Sequence, residues 1–213
     1  MKYIGITGPT GAGKTTALEV LEELGAVVID ADAVYHRLTR ESAPLRRALA
    51  EAFGADILDG AGQLDRKRLG SKVFGDPAAL ARLNGVTHPY IMEEIDRLAA
   101  EGERAGKQAA AIDAIALIES GLSDQCAAVV GVLADPEVRI ARIMAREGIS
   151  EDYARRRVAA QPDEAFYRAH CTHILENNGN DPQEFRQRAR ELFVLFLERK
   201  RTQKELPSAP SPG

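Results

Sequence analysis

Residues Gly8 to Thr15 read Gly-Pro-Thr-Gly-Ala-Gly-Lys-Thr and satisfy the pattern G-x-x-x-x-G-K-[ST] without a mismatch. This pattern works only as a turn between a strand and a helix, so it constrains the fold around it. Its context agrees. Lys2 to Thr7 is a short β-prone run, and Thr16 to Leu24 carries apolar residues at helical spacing. Gly8, Gly11, Ala12 and Gly13 would form a turn whose N–H groups approach phosphate oxygens, with Thr16 in the first helical turn behind it. The helix directs its positive end at the same place. Lys14 would reach the β- and γ-phosphates, and the Thr15 hydroxyl would bind Mg²⁺. The chain is therefore expected to bind a nucleoside triphosphate.

Five apolar runs read as strands: Tyr3–Thr7, Ala26–Asp30, Ala109–Asp113, Ala128–Ala134 and Thr172–Glu176. They are short and little interrupted, as strands buried on both faces are. Helical stretches separate them, which predicts an α/β fold with a parallel sheet between helical layers. Two stretches exceed a simple crossover. Residues 33–107 hold several amphipathic helical segments and no convincing strand, and read as an insertion serving the substrate. Residues 136–165 read as a small helical lid. The nucleotide-binding core is then 1–32, 108–135 and 166–204. Its last helix is predicted over Pro182–Lys200, and 205–213 is a Pro/Ser-rich disordered tail.

The bulk properties exclude several function classes. The chain has 213 residues, 45% of them hydrophobic, and a formal net charge of −4, which argues against a general nucleic-acid binder. No apolar run is long enough to span a bilayer, and the N-terminus does not read as a signal peptide. The two cysteines, Cys126 and Cys171, form no Cys-x-x-Cys pair, so they read as small buried residues of a cytoplasmic protein.

Four further patterns carry chemistry. Asp30-Ala31-Asp32 ends the second strand, and ligands in open parallel sheets sit at the carboxyl ends of the strands. Either carboxylate could accept a proton from an attacking hydroxyl or cap the next helix; along an extended strand only one of the two faces the acceptor, and Asp32 is favoured as base. The third strand ends in Asp113, which like Asp32 could hold Mg²⁺ through water. Glu119, six residues on, reads equally as an acceptor contact or a surface carboxylate. Arg139, Arg142 and Arg146 share one helix face, and Arg142 and Arg146 are favoured as phosphate contacts in a lid that excludes water. Asn177-Asn178-Gly179 after the fifth strand is a turn that could also border the nucleotide base. His88-Pro89 starts or kinks a helix; alone, His88 reads as a core residue. The residues thus point to a kinase acting on a small alcohol or nucleotide. No Asn-Lys-x-Asp element of a guanine-reading switch is present.

From Tyr3 to about Gly179 the chain resembles the dephospho-CoA kinase family. The resemblance rests on Ile6 to Thr15, Val28-Ile29-Asp30-Ala31-Asp32, His88-Pro89 with Ile91, Arg142 to Ser150, Gln161, and Ile174 to Gly179. It implies a three-layer P-loop kinase fold with a five-stranded parallel sheet, a helical acceptor-binding insertion and a small helical lid. It also implies ATP and dephospho-CoA as substrates and Mg²⁺ as cofactor; composition adds the expectation of a cytoplasmic protein acting without nucleic acid or membrane, and among oligomeric states, which the sequence does not fix, a monomer is favoured. Asp32, Lys14 and Arg142 fall on catalytic positions. Arg146, Asn178 and Gly179 fall at the ATP site, and Asp32, His36, His88, Glu119 and Gln161 at the acceptor site. One departure stands out. The family's Pro-Leu-Leu-x-Glu stretch here reads Ile115-Ala116-Leu117-Ile118-Glu119, which opens volume near the acceptor.

Overall fold

In the computed structural model, which describes residues 1–179 and 181–198, five parallel strands form one sheet in the order β2-β3-β1-β4-β5. They are β1 (Lys2–Thr7), β2 (Ala26–Asp30), β3 (Ala109–Asp113), β4 (Ala128–Leu133) and β5 (His173–Glu176). β3 is an interior strand although Ala109-Ala110-Ala111 has low strand propensity. It pairs along its length with both β1 and β2, and burial on both faces outweighs the intrinsic preference.

Alternate residues of the sheet feed two cores. Ala109 and Ala111 face one side with Ile4, Ile6, Val130 and Val132. There they meet α1 (Lys14–Glu23) and α9 (Pro182–Glu198) through Leu21, Phe185 and Phe193. Ala110 and Ile112 face the other side and meet Val34 of α2 (Ala31–Glu41) and Ile91, Ile95 and Ala99 of α5 (Pro77–Arg104). This period-2 division produces the three layers. Phe185 and Phe193 are fully buried, and truncating either to alanine is worth about 3–5 kcal/mol.

Residues 31–104 form four helices: α2, α3 (Ala43–Phe53), α4 (Arg66–Val73) and α5. Their starts follow local chemistry. Ser42, Asp65 and Asp76 cap α3, α4 and α5 with side-chain oxygens, and Pro77 occupies the first turn of α5. A third cluster around Leu45, Leu49, Ile57 and Leu69 closes this part. Of the two expectations at Pro89, the helix start is corrected: α5 runs through it. Two further helices, α6 (Pro136–Glu147) and α7 (Glu151–Ala159), pack through Ile140, Ile143, Ala154 and Val158, and α8 (Glu164–His170) returns the chain to β5.

The helix expected to reach Lys200 is described to Glu198; Arg199, Lys200 and the tail of 205–213 lie outside the described residues. Among the described residues no helix is long and apolar enough to cross a membrane. Cys126 and Cys171 are free and half-buried, and burial pushes both thiols up to about 11.

Candidate active site

The loop between β1 and α1 is bent by backbone angles that favour glycine. Gly13 has φ +106° and forms the N-cap of α1; a Cβ there would strike Asn177 Nδ2. A Cβ on Gly8, at φ +137°, would strike the Val132 carbonyl. The N–H groups of the first turn of α1 are thereby presented to the loop. Ala12 is fully buried, the Thr15 side chain is exposed, and the Lys14 ammonium donates to the Gly8 carbonyl at 2.7 Å. Burial holds that ammonium below its ordinary 10.5; the Asp113 and Asp32 carboxylates oppose the shift, and Arg139 and Arg146 add to it. Lys14, Asp32 and Asp113 therefore share one electrostatic environment at the carboxyl ends of the strands.

The two aspartates near Ala31 are placed differently from the expectation of an extended strand. The strand ends at Asp30, whose side chain accepts from the Ala33 N–H at 2.8 Å and caps α2. Asp32 is in the first turn of α2, where its Oδ2 accepts from the Ile115 N–H at 3.1 Å. A proline at position 115 would have no N–H to give. Asp113 ends β3 in register with Asp30. Burial pushes its carboxyl up, Lys14 pulls it down, and Asp30 and Asp32 add to the rise. Its Oδ1 is buried without a partner among the described residues. Among those residues no three His, Cys, Asp or Glu side chains are grouped to hold a metal by themselves. Mg²⁺ needs less: one or two carboxylates, a hydroxyl and phosphate oxygens suffice, and the unpartnered Asp113 oxygen with Asp32 and Thr15 suits that donor set.

Two cavities flank this group. The smaller, about 160 Å³, is walled by Asp32, Tyr35, His88, Ala116 and Ser120. His88 is held below its ordinary 6.5 by burial, against a pull from Asp124, and its Nε2 is buried without a partner among the described residues. Asp32 and His88, both expected at the acceptor site, thus meet, and the alanine at 116 opens onto the same space. Three other expected acceptor residues lie elsewhere. His36 is exposed on α2 and is not part of that wall. Glu119 is exposed, with Tyr167 feeling its charge. Gln161 instead returns to the phosphate loop, because the turn after α7 carries it there: Oε1 accepts from the Thr10 N–H at 3.1 Å, and Nε2 donates to Thr10 Oγ1 at 3.2 Å.

The larger cavity, about 610 Å³, is walled by Gly13, Thr16, Val138, Arg142, Asn177, Gly179 and Phe185. Arg142 bridges its sides. Its guanidinium donates to the carbonyls of Asn177 at 2.9 Å and Gly179 at 3.3 Å, and more distantly to Gly11 at 3.5 Å. Its donors are thus spent on backbone carbonyls rather than held out as a free phosphate clamp. Arg146 pairs with Glu147 at 2.6 Å. Arg139 is a structural tie: only 6% exposed, it donates from Nε to the Thr10 carbonyl at 3.0 Å and from Nη2 to Gln161 at 2.7 Å. Asn178, expected at the nucleotide, braces Asp135 at the start of α6. Its neighbour Asn177, which the sequence offers only as part of the Asn177-Asn178-Gly179 turn, takes the central place. The signal was present: Asn177 keeps the strand parity of buried Leu175, whereas Asn178 keeps that of exposed Glu176.

Comparison with known proteins gives the family and the fold. The profile of one family, described as dephospho-CoA kinase, matches residues 2–183. The chain is 39% identical over 194 residues to a dephospho-CoA kinase of Geobacter sulfurreducens, covering 91% of this chain and 98% of that protein. It is 41% identical over 180 residues to one of Corynebacterium efficiens, covering 84% and 90%. Among solved structures, TT1252 from Thermus thermophilus superposes with a TM-score of 0.69 at 33% identity, over 92% of this chain and 97% of that one. A shikimate kinase from Bacteroides thetaiotaomicron, at 15% identity and a TM-score of 0.51 over 91% and 98%, shares the fold.

Proposed function

The chain belongs to the dephospho-CoA kinase family, and on that premise we propose that it transfers the γ-phosphate of ATP to the ribose 3′-hydroxyl of dephospho-CoA, giving coenzyme A. The observation that carries the residue assignment is that the Lys14 ammonium, behind the glycine turn, feels both the Asp113 and Asp32 carboxylates, with Asp32 on the wall of the smaller cavity. ATP lies with its phosphates on the loop amides and its base in the larger cavity, beside Arg142 and Gly179. The acceptor hydroxyl comes from the smaller one, where Asp32 accepts its proton as the oxygen attacks. His88, with an unpartnered ring nitrogen, hydrogen-bonds the acceptor. Lys14 offsets the negative charge that develops on the transferred group. Thr15, with Asp32 or Asp113 through water, would hold Mg²⁺, which draws charge from the phosphate oxygens when bound.

In this reading residues 33–107 bind the acceptor and 136–165 cover the nucleotide. Arg146 closes over the phosphates by leaving Glu147. Gln161 and Arg139 hold the root of that cover against Thr10. The protein acts as a cytoplasmic monomer on these two substrates. Incubation with ATP, Mg²⁺ and dephospho-CoA, with mass detection of the product, tests the reading; no phosphorylated product would overturn it. Ile115 and Ala116 favour one second reading, a kinase of the same architecture with another alcohol as acceptor. A panel of acceptors with coupled ADP release separates the two.

A further inference from the structure

We propose that the apolar groove between α4 and α5 holds the pantetheine arm of the acceptor, with Arg66 at the diphosphate that joins this arm to the reacting nucleoside. This rests on the reading of the chain as a dephospho-CoA kinase. The groove encloses about 490 Å³, and Leu69, Val73, Phe74 and Leu80 are in its wall. Tyr35 and Leu83 wall it too, and both also wall the smaller cavity that contains Asp32 and His88, so the two spaces adjoin. That cavity, at about 160 Å³, falls below the roughly 300–1,000 Å³ of sites for drug-sized ligands. It has room for the ribose that brings its hydroxyl to Asp32, and the rest of the acceptor needs further space. Asp32 and Tyr35 are three positions apart on α2 and so are neighbours on one helix face. A ligand that leaves Asp32 along this face reaches Tyr35, and beyond it the groove.

The groove matches the arm in three ways. Phe74 is 94% exposed and Leu80 45%, an apolar rim left to water unless a ligand packs on it, above buried Leu69 and Val73. Gly70 lies inside α4, where glycine is a poorer helix residue than alanine, yet a Cβ there would meet nothing within 4 Å. Packing does not call for this glycine; a ligand lying close against the helix does. Arg66 is the charged residue of the wall and pairs with no carboxylate among the described residues; its Nη2 donates to the His36 carbonyl at 3.5 Å. Burial pushes the Tyr35 hydroxyl up and Arg66 pulls it down, so the guanidinium stands near the junction of the two spaces. Its fork suits phosphate oxygens. From Arg66 to Phe74, α4 and its end thus present a cation and then apolar surface. The acceptor has the same order, a diphosphate and then an arm of methylenes, a gem-dimethyl group and amides. Adenine is joined to the ribose with no anion between, so it does not match a groove entered past an arginine.

The exposure of Phe74 lets it be replaced without opening a core. In Phe74→Ser, KM for dephospho-CoA should rise about tenfold, with kcat and KM for ATP within about twofold of wild type. Gly70→Leu, which fills the groove beside α4, and Arg66→Gln should raise the same KM by a similar factor. The chain has no tryptophan, so Phe74→Trp gives a single-tryptophan reporter with a KM close to wild type. Dephospho-CoA should shift its emission to the blue as the arm covers the indole. ADP-ribose, with the same adenosine diphosphate but a polar sugar in place of the arm, should leave the emission unchanged. An unchanged KM for dephospho-CoA in Phe74→Ser, no blue shift with dephospho-CoA, or an equal shift with ADP-ribose overturns the proposal; the last outcome gives the groove to the nucleoside. If a serine or leucine variant does not fold, the emission of Phe74→Trp decides. Failure of the wild type to phosphorylate dephospho-CoA overturns the reading of function instead.

Discussion

Asn177 donates from Nδ2 to the carbonyl oxygen of Ala12 at 2.8 Å, across 165 positions of sequence and inside the protein. Through this bond the exit of β5 holds the phosphate loop, and through its own carbonyl Asn177 holds Arg142. Asn177→Ala leaves the Ala12 carbonyl buried without its partner and removes the 3.4 Å bond from Arg142 Nη2 to Asn177 Oδ1, while the main-chain bond to Arg142 stays. We expect a loss of about 1–3 kcal/mol in urea denaturation. We also expect KM for ATP to rise about tenfold, equivalent to ~1.4 kcal/mol, with the acceptor KM little changed. An unaltered KM for ATP would detach Asn177 from nucleotide binding.

Gly13→Ala meets the same amide from the other side. The new Cβ sits at φ +106° and runs into Asn177 Nδ2. Gly148 supplies the comparison, since it has φ +66° but open space around its Cβ position. Both alanines carry the left-handed backbone cost of about 1–2 kcal/mol. Only Gly13→Ala should also lose binding of a fluorescent ATP analogue. Equal binding by the two variants would show that the crowding at Asn177 is relieved without consequence.

Asp32→Ala separates binding from transfer. Asp32 does not line the larger cavity, and the loop bonds do not depend on it. Phosphoryl transfer should fall by about 10²-fold to 10⁴-fold while ATP affinity stays within about twofold. Turnover close to wild type would remove Asp32 from the proton transfer.

Acid destabilisation should report His88. Burial holds its imidazole below the ordinary 6.5 in the folded protein, so the unfolded chain takes up the proton first as pH falls. The contribution is present above 6.5 and is lost as pH drops through 6.5 toward the folded value. The urea midpoint should therefore decline between about pH 7.5 and about pH 5.5, and His88→Gln should flatten part of that decline. An identical decline in both proteins would assign it to other groups.

Much of this architecture is written locally. The strand–loop–helix at the N-terminus, the five strand runs and the long helical insertion follow from short-range pattern, and each forms where the periodicity places it. The functional side chains were harder to read for identifiable reasons. Asp30 and Asp32 look alike in sequence, and only the capping bond to Ala33 decides which one enters the helix. Gln161 and Arg139 reach Thr10 across more than a hundred residues, a pairing no local window contains. Asn177 was legible from strand parity but was hidden beside a second asparagine. Pro89 offers a helix start by its usual local effect, whereas α5 continues through it and is packed on both sides by Val86, Tyr90, Ile91 and Ile95.

That packing has a consequence for how the molecule comes apart. Ala79, Leu83, Val86 and Tyr90 of α5 belong to the cluster closing the helical insertion, whereas Ile91, Ile95 and Ala99 of the same helix belong to the core under the sheet. One continuous rod thus serves as a shared wall of two hydrophobic interiors. Neither interior can open without exposing the apolar stripe that the other needs. Heat or denaturant therefore meets a single cooperative unit, and the helices of residues 31–104 melt together with the sheet that carries the glycine-rich loop.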